Sequence, residues 1–358
     1  MKKKLTIRDV AEKAGVSISS VHIALSGKSG VSDSTRAYIR QVAETLGYQP
    51  NAYASKLKQR TKQVVILLPD EKGDNSFYYP EIWHGIHDYQ TSSDANVDFT
   101  EISYGPDTEQ EAFSTLRRLV ENDEADGILA AGHIDKEKLT PKDWAEFAEK
   151  GVSVVFIISG NRHSPFLCCV QPDYRIIGRT MAELVLSRIP DYGSILMLAG
   201  NPKWPSHFLV ANGFTEYMTE NRRSNMIYYD HSWSTSPENY EAIKKELSRS
   251  DIAACCSVYS IGTALLCQAL KESGKAGRVY AVGSDLSAQA IEGIRHGILN
   301  NSIQKNPYAQ GYVGLRTLVD YLVDGKTPEE KCIFVGCEVV FQSNLPMYEH
   351  RRYSNLFF

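Results

Sequence analysis

The sequence predicts two kinds of structure in one chain. A small all-α head built around a helix-turn-helix precedes an α/β body of two Rossmann-like units, each a parallel sheet wound on both faces. Three observations carry this prediction. Within the first 62 of 358 residues, 12 Lys and Arg stand against 4 Asp and Glu, whereas the rest of the chain holds 27 bases and 39 acids. Apolar residues in the head recur at helical spacing. From Gln63 onward, short apolar runs alternate with amphipathic stretches of helical length. A basic head on an acidic body suits a polyanion-binding module carried by a domain that repels the same polyanion.

In the head, Thr6 precedes Ile7, Val10, Ala11 and Ala14, with Asp9 positioned to complete a capping box. Gly15 supplies the positive φ of a tight turn. Ser17 then caps a second helix whose inward residues are Val21, Ala24 and Leu25, leaving Ile18, Ser19, His22 and Ile23 on the open side. A third helix runs from Ser32 through Thr35, Ile39, Val42, Ala43 and Leu46, and Gly47 stops it. Small Ala11 against Gly15 and Val21 lets the first two helices cross closely, as a helix-turn-helix requires. A generic three-helix bundle has the same periodicity; the basic charge favours the DNA-binding version.

The stretch from Thr6 to Lys58 resembles the DNA-binding headpiece of the lactose-repressor (LacI/GalR) family of bacterial transcription regulators. It keeps the D-V-A-x-x-A-G-V-S opening, the V-S-x-x-T-R third helix and the L-G-Y-x-P-N-A exit. The resemblance implies that Ile18, Ser19 and Ile23 face base edges of double-stranded DNA, while Ser17, Ser20, Lys28, Thr35 and Arg36 hold phosphates, with Thr6 at the same surface. His22 stands where it can reach a phosphate. The outer face carries no arginine fork for guanine, so readout is expected to lean on apolar contact of Ile18 and Ile23 with thymine methyl groups.

Residues 50–61 are basic, with Ala54 and Leu57 three apart, enough for one or two helical turns that cannot stand alone. By resemblance this is a hinge helix that orders on operator DNA. Asn51, Tyr53 and Ala54 then lie at the DNA, and Leu57 wedges between base pairs in the minor groove of a pseudo-palindromic site bound by a homodimer. Ser55 stands where the family usually has arginine. A flexible basic linker is the alternative reading.

The body reads VVILLP at 64–69, a helix near 80–93, VDFTEISY at 97–104, a helix at 107–122, GILAA at 127–131, a helix at 141–150 and VSVVFII at 152–158. The alternation resumes with FLCCV and runs through SILMLAG, MIYY, IAACCSV and VYAVGSD, each followed by a helical stretch up to IAACCSV. Ligands of such folds bind beyond the carboxyl ends of the strands. The loops there carry Phe77, Tyr78, Tyr79, Trp83, Trp204, Trp233, Tyr259 and Asp285, aromatic faces with a carboxylate that suit a polyhydroxylated or planar small molecule.

The body also resembles the effector-binding core of the same family, itself similar to periplasmic sugar-binding proteins, through VQPDYRIIG at 170–178, VGSD at 282–285 and the S-I-x-K-x-P-x-x-x-G pattern at 302–311. The resemblance implies a periplasmic-binding-protein-like core over 62–345, with one subdomain at about 62–160 and 290–323, the other at about 161–289 and 324–345, and a tail at 346–358. It implies that Asp285 holds a sugar hydroxyl and that Trp233 stacks on the ligand. Three positions depart from the family: Val210 replaces an arginine, Tyr259 an Asn or Asp, and Lys305 a glutamine. Lys305 points either to an acidic group on the ligand or to a pairing with Asp285 or another acid.

Several classes of function are disfavoured. The seven cysteines lie mostly in apolar runs without a C-x-x-C pair, and the nine histidines are scattered, so neither a disulfide framework nor a metal site is expected. No G-x-S-x-G, H-E-x-x-H, Walker or G-x-G-x-x-G motif follows a strand, which argues against a sugar-modifying enzyme and against a cofactor. Asp173 and Asp285 could be imagined as an acid/base pair, yet Asp173 begins a helix and reads as its cap. Lys2 to Lys4 lead into a polar segment, and no apolar run is long enough to span a membrane, so a cytoplasmic protein without membrane contact is expected. The expected function is a DNA-binding repressor whose operator affinity is controlled by a sugar-like effector; control by a partner protein or a nucleoside is the alternative.

Overall fold

In the computed structural model, which describes residues 5–25, 30–48, 60–160 and 163–349 (the side chains of Lys136, Glu137 and Glu349 excepted), Thr6 and Asp9 close a capping box at the start of α1, Ile7–Ala14. Gly15 ends this helix at φ 65°, and the Ser17 hydroxyl accepts from the Ser20 amide at 3.1 Å to open α2, Ile18–Leu25. Ser32 caps α3, Asp33–Leu46, which Gly47 ends in the left-handed region. The three helices share one small core of Val10, Ala11, Ala14, Val21, Ala24, Ile39 and Ala43. Lys28, Asn51, Tyr53, Ala54 and Leu57 lie outside the described residues.

Between Thr61 and Lys62 the chain divides into two units. In the larger one, strands and helices alternate as the apolar runs predict. The first lobe is a six-stranded parallel sheet in the order β11-β5-β4-β3-β1-β2, formed by Lys62–Pro69 (β1), Val97–Tyr104 (β2), Gly127–Ala131 (β3), Ser153–Ile157 (β4), Cys168–Pro172 (β5) and Cys332–Val335 (β11). One face is covered by α4 (Tyr79–Ser92) and α13 (Pro307–Asp324), the other by α5 (Glu109–Glu121) and α7 (Pro141–Lys150). A 3-10 turn at Gly73–Phe77 and a four-residue helix α6, Ile134–Glu137, were not legible in the periodicity.

The second lobe repeats the plan in the order β12-β10-β9-β8-β6-β7, from Ser194–Leu198 (β6), Ile227–Asp230 (β7), Ile252–Ser257 (β8), Tyr280–Ser284 (β9), Asn301–Gln304 (β10) and Glu338–Phe341 (β12). Only β12 is antiparallel. Its helices are α8 (Tyr174–Leu186), α9 (Pro205–Glu220), α10 (Pro237–Leu247), α11 (Ser260–Glu272) and α12 (Ala288–Arg295). Helices α8 and α9 meet backbone to backbone: a methyl group on Gly178 would lie 2.0 Å from the Val210 carbonyl oxygen, and one on Gly213 2.2 Å from that of Arg175. No side chain fits either position.

Strand pairing corrects the expected subdomain limits. The run FLCCV and the strand Cys332–Val335, both expected in the other subdomain, belong to the first lobe, because Cys168 pairs beside Val155 and Cys332 beside Cys169. Residues 290–304 belong to the second lobe, since β10 lies between β9 and β12. Buried parallel strands are apolar on both faces, so composition marks them as strands without saying which sheet they join. The tail is corrected too: Pro346–Glu349 forms a short helix, α14, and Tyr348 is buried against the second-lobe core.

Candidate functional site

The parallel strands of both lobes end at one cavity of about 460 Å³. The first lobe lines it with Pro69 at the end of β1, Tyr104 at the end of β2, His133 after β3, and Ile158 and Ser159 after β4, together with Phe77, Tyr78 and Tyr79. The second lobe contributes Trp204 and His207 after β6, Trp233 after β7, Tyr259 and Ser260 after β8, and Lys305 after β10. This is the position that open parallel sheets reserve for ligands.

The second-lobe wall is an aromatic cluster. Trp204 stands edge-on to Trp233 at 5.6 Å and to His207 at 5.0 Å, and His207 lies tilted over Tyr259 at 4.9 Å. Trp233 is 47% exposed, an apolar ring held open to solvent. Four of the five tyrosine hydroxyls of the cavity make a hydrogen bond within the chain. Tyr78 accepts from Gln310 at 2.9 Å, Tyr174 donates to the Ile158 carbonyl at 2.7 Å, Tyr259 donates to the Ser232 carbonyl, and Tyr104 meets His133 at 3.3 Å. Ile158 holds φ 72°, a left-handed conformation rare for a β-branched residue, and Tyr174 grips it there.

Charges at the cavity are compensated in place. Lys305 ion-pairs with Asp285 at 3.0 Å and donates to the Val258 carbonyl at 3.1 Å, with only 5% of the lysine and 2% of the aspartate exposed. Asp285 also accepts from the Ser260 hydroxyl at 2.6 Å. Lys138 pairs with Glu109 at 2.6 Å. Asp74 on the first lobe accepts from the Thr235 hydroxyl on the second at 2.6 Å, a direct tie between lobes.

His207 accepts from the Asn201 amide through Nδ1 at 3.0 Å, so its neutral form carries the proton on Nε2. Burial, and secondarily the charge of Lys305, lower its pKa from 6.5 to about 3. An unfolded chain therefore binds a proton near pH 6.5 that the folded chain refuses until about pH 3. Stability is present above the higher value and is lost as pH falls through that window, by about 1.4 kcal/mol per pH unit for one such site. Burial lowers His133 to about 4 with the same sign. We expect His207→Asn, whose amide oxygen can still accept from Asn201, to lessen the loss of stability between pH 6 and 5 by roughly 1 kcal/mol. Urea midpoints at the two pH values check this; equal losses in both proteins would exclude the histidine.

In the head, α2 exposes Ile18 (45%), Ser19 and His22. Ile23 is half-buried, with its Cδ1 only 3.3 Å from where a methyl group on Gly30 would lie. The Ser17 and Ser20 hydroxyls meet at 2.9 Å, and those of Ser32 and Thr35 at 2.7 Å. Arg36 turns toward the protein: its guanidinium donates to the carbonyls of Ile23 at 3.0 Å and Ala24 at 3.3 Å, closing the end of α2. The expected phosphate contact is thus foremost a cap on the helix that carries Ile18 and Ile23, a position where positive charge also complements the helix dipole.

Residues 6–51 match the lacI family of bacterial regulatory proteins, and residues 134–327 match the periplasmic binding protein domain. The chain belongs to the lacI family of transcriptional regulators. Over 125 residues it is 35% identical to the HTH-type transcriptional regulator RegA of Clostridium saccharobutylicum, which covers 35% of this chain and 36% of that protein. It is 23% identical to catabolite control protein A of Staphylococcus aureus over 332 residues, 92% of this chain and 96% of that one. Among solved structures, the periplasmic ribose ABC transporter from Conexibacter woesei superposes with a TM-score of 0.67 at 20% identity, covering 81% of this chain and 95% of that one. This LacI-family regulator therefore joins a helix-turn-helix head to a periplasmic-binding-protein fold, and its family is one of regulators and not of enzymes.

Of the effector residues expected for this LacI-family chain, Phe77, Tyr78, Trp204, Trp233, Tyr259 and Lys305 line the cavity. Trp83 does not: it is buried in the first-lobe core and donates to the Pro69 carbonyl at 2.9 Å. Asp285 lies behind Lys305 and Ser260 and lines a small neighbouring cavity instead. Lys305 takes the pairing alternative, so no acid on the ligand is required. Val210 is fully buried in the α8–α9 contact, and the polar side chains that α9 brings to the cavity are Ser206 and His207, about one turn earlier. His207, His133, Tyr104 and Tyr174 were missed by sequence reasoning. All stand at or beyond the carboxyl ends of parallel strands, and that position was the available signal.

Proposed function

We propose that this LacI-family regulator is a homodimeric repressor that reads a pseudo-palindromic operator in the cytoplasm and releases or grips it according to the occupancy of the interlobe cavity by a sugar or sugar derivative. Residues 1–49 form the DNA-binding headpiece in this reading, 50–61 the hinge, and the rest the effector and dimerisation core. One observation carries it: the cavity takes walls from both lobes, and Asp74 and Thr235 bond across them. A ligand touching both walls binds one lobe arrangement better than another, so operator and effector affinities are coupled reciprocally, typically by about 1–3 kcal/mol. The dimer supplies the specificity that a single small headpiece lacks.

Binding in the head is read through Ile18, Ser19 and Ile23 in the major groove, with Thr6, Ser17, Ser20, His22, Lys28 and Thr35 on the backbone and Leu57 in the minor groove. We expect Leu57→Ala to weaken operator binding by about tenfold or more while effector affinity stays within twofold. A gel-shift titration on a selected operator, beside calorimetry, checks the pair; unchanged operator affinity removes the wedge role. The reading as a whole is tested by thermal-shift screening of sugars, sugar acids and nucleosides, followed by operator titration with each hit. A ligand that shifts both supports it, and a set of ligands that leave operator affinity untouched overturns it.

A further inference from the structure

We propose that the effector is an uncharged aryl glycoside: one sugar ring joined to an aromatic ring, in preference to a free sugar, a sugar acid or a sugar phosphate. The inference rests on the reading of the interlobe cavity as the effector site and names the class of molecule that fits it.

Charge excludes the anions. Both lysines at the cavity already hold a carboxylate, Lys305 that of Asp285 at 3.0 Å and Lys138 that of Glu109 at 2.6 Å. Among the described residues, the remaining ionised group of the lining is the acid Asp74, and two groups of Thr235 donate to it. A phosphate or carboxylate would enter a site of net negative charge and find no uncommitted cation, a poor exchange for its hydration. His207 adds no charge, because burial keeps it neutral at any pH above about 3.

Hydrogen-bond supply suits one sugar ring and no more. A free monosaccharide brings several hydroxyls, and each one buried without a partner lowers affinity by about tenfold. The hydroxyls of Tyr78, Tyr104, Tyr174 and Tyr259 each make a hydrogen bond within the chain, so part of their capacity is spent before a ligand arrives. Asp285 is withdrawn behind Ser260. The lining side-chain groups that make no hydrogen bond among the described residues include the Tyr79, Ser159 and Ser206 hydroxyls, the indole N–H of Trp204 and of Trp233, and Nε2 of His207, spread over both lobes. Such groups can serve the hydroxyls of one sugar ring, but a sugar alone leaves the aromatic walls without an apolar partner.

Apolar surface calls for the second ring. Trp204 and Trp233 stand edge to face on one side, and Phe77 lines the other. Almost half of the Trp233 surface is open to solvent, although a tryptophan is normally covered. A flat aromatic group between these walls buries apolar area on both of its faces and stacks with favourable geometry. The volume of about 460 Å³ lies in the range of sites for drug-sized ligands and leaves room for it.

The test titrates the full chain with phenyl and methyl β-D-glycosides of glucose, galactose and xylose, the free sugars, and glucose 6-phosphate, following tryptophan fluorescence and heat. For at least one sugar, the phenyl glycoside is expected to bind about tenfold or more tighter than its methyl counterpart. In Trp233→Ala, whose side chain is already half exposed and so not needed for folding, that preference is expected to shrink at least fivefold. Equal affinities of phenyl and methyl glycosides, tighter binding of glucose 6-phosphate, an unchanged preference in Trp233→Ala, or binding by none of these compounds would each overturn the assignment. The effector reading fails separately: it falls when no compound of the broader screen alters operator affinity, and it stands if a ligand of another class does.

Discussion

Replacing Lys305 by methionine should destabilise the core by about 3–5 kcal/mol, the largest effect we expect from any single substitution outside the glycine contacts. The lysine is 5% exposed and the aspartate it faces 2%, with 3.0 Å between them. Removing the ammonium leaves the Asp285 carboxylate buried, supported by Ser260 and one backbone amide and by no charge. The Val258 carbonyl loses its donor at the same time. Because the penalty belongs to an uncompensated charge, a second substitution that removes it should recover most of the loss. Lys305→Met with Asp285→Leu is expected to lie within about 2 kcal/mol of the parent in urea unfolding. A double variant no more stable than the single one would mean that the pair acts through packing and not through charge.

Arg36→Ala is expected to unfold or loosen the head while leaving the core transition untouched. A hydrogen bond from a charged donor contributes about 1.5–3 kcal/mol, and this guanidinium serves two carbonyls at the end of α2. The head can ill afford that: among the described residues its buried core is seven, four of them alanine. Operator affinity should then fall by at least a hundredfold, because the helix carrying Ile18 and Ser19 is no longer held. Arg36→Lys, which keeps one donor and the charge, should recover part of it. Circular dichroism melts of the full chain separate this from a plain lost phosphate contact, which would weaken DNA binding with the head transition unchanged.

Local rules were legible in the sequence where one residue type has one physical use. Thr6 with Asp9, Gly15 and Gly47, and Ser17 ahead of α2 were all readable, as was the capping role of Asp173, whose carboxylate accepts from the Ile176 amide at 3.0 Å. The strand ends were legible as well, and with them the neighbourhood of the cavity. What could not be read was the direction in which each side chain turns. Trp83 and Trp204 follow similar apolar runs, yet Trp83 sits inside α4, where its indole finds the Pro69 carbonyl, while Trp204 immediately precedes α9 and faces the opening. Arg36 carries the composition of a phosphate contact and the geometry of a helix cap. Lys305 and Asp285 lie 20 positions apart, and only the pairing of β9 with β10 brings them together.

The three passages of the chain between lobes, after β5, after β10 and after β11, also set the order in which the molecule can come into being. Each sheet is built from pieces far apart in sequence, and its outermost strand, Cys332–Val335 in one and Glu338–Phe341 in the other, is made last. On the ribosome, the head can fold as soon as its fifty residues emerge, because all its contacts are local. Both sheets must wait, with an edge open, until nearly the whole chain has been synthesised. A truncation that removes residues from 332 onward therefore damages both lobes at once, however small it is beside the whole. For most of its synthesis this protein is a finished DNA-reading head tethered to two unfinished sheets.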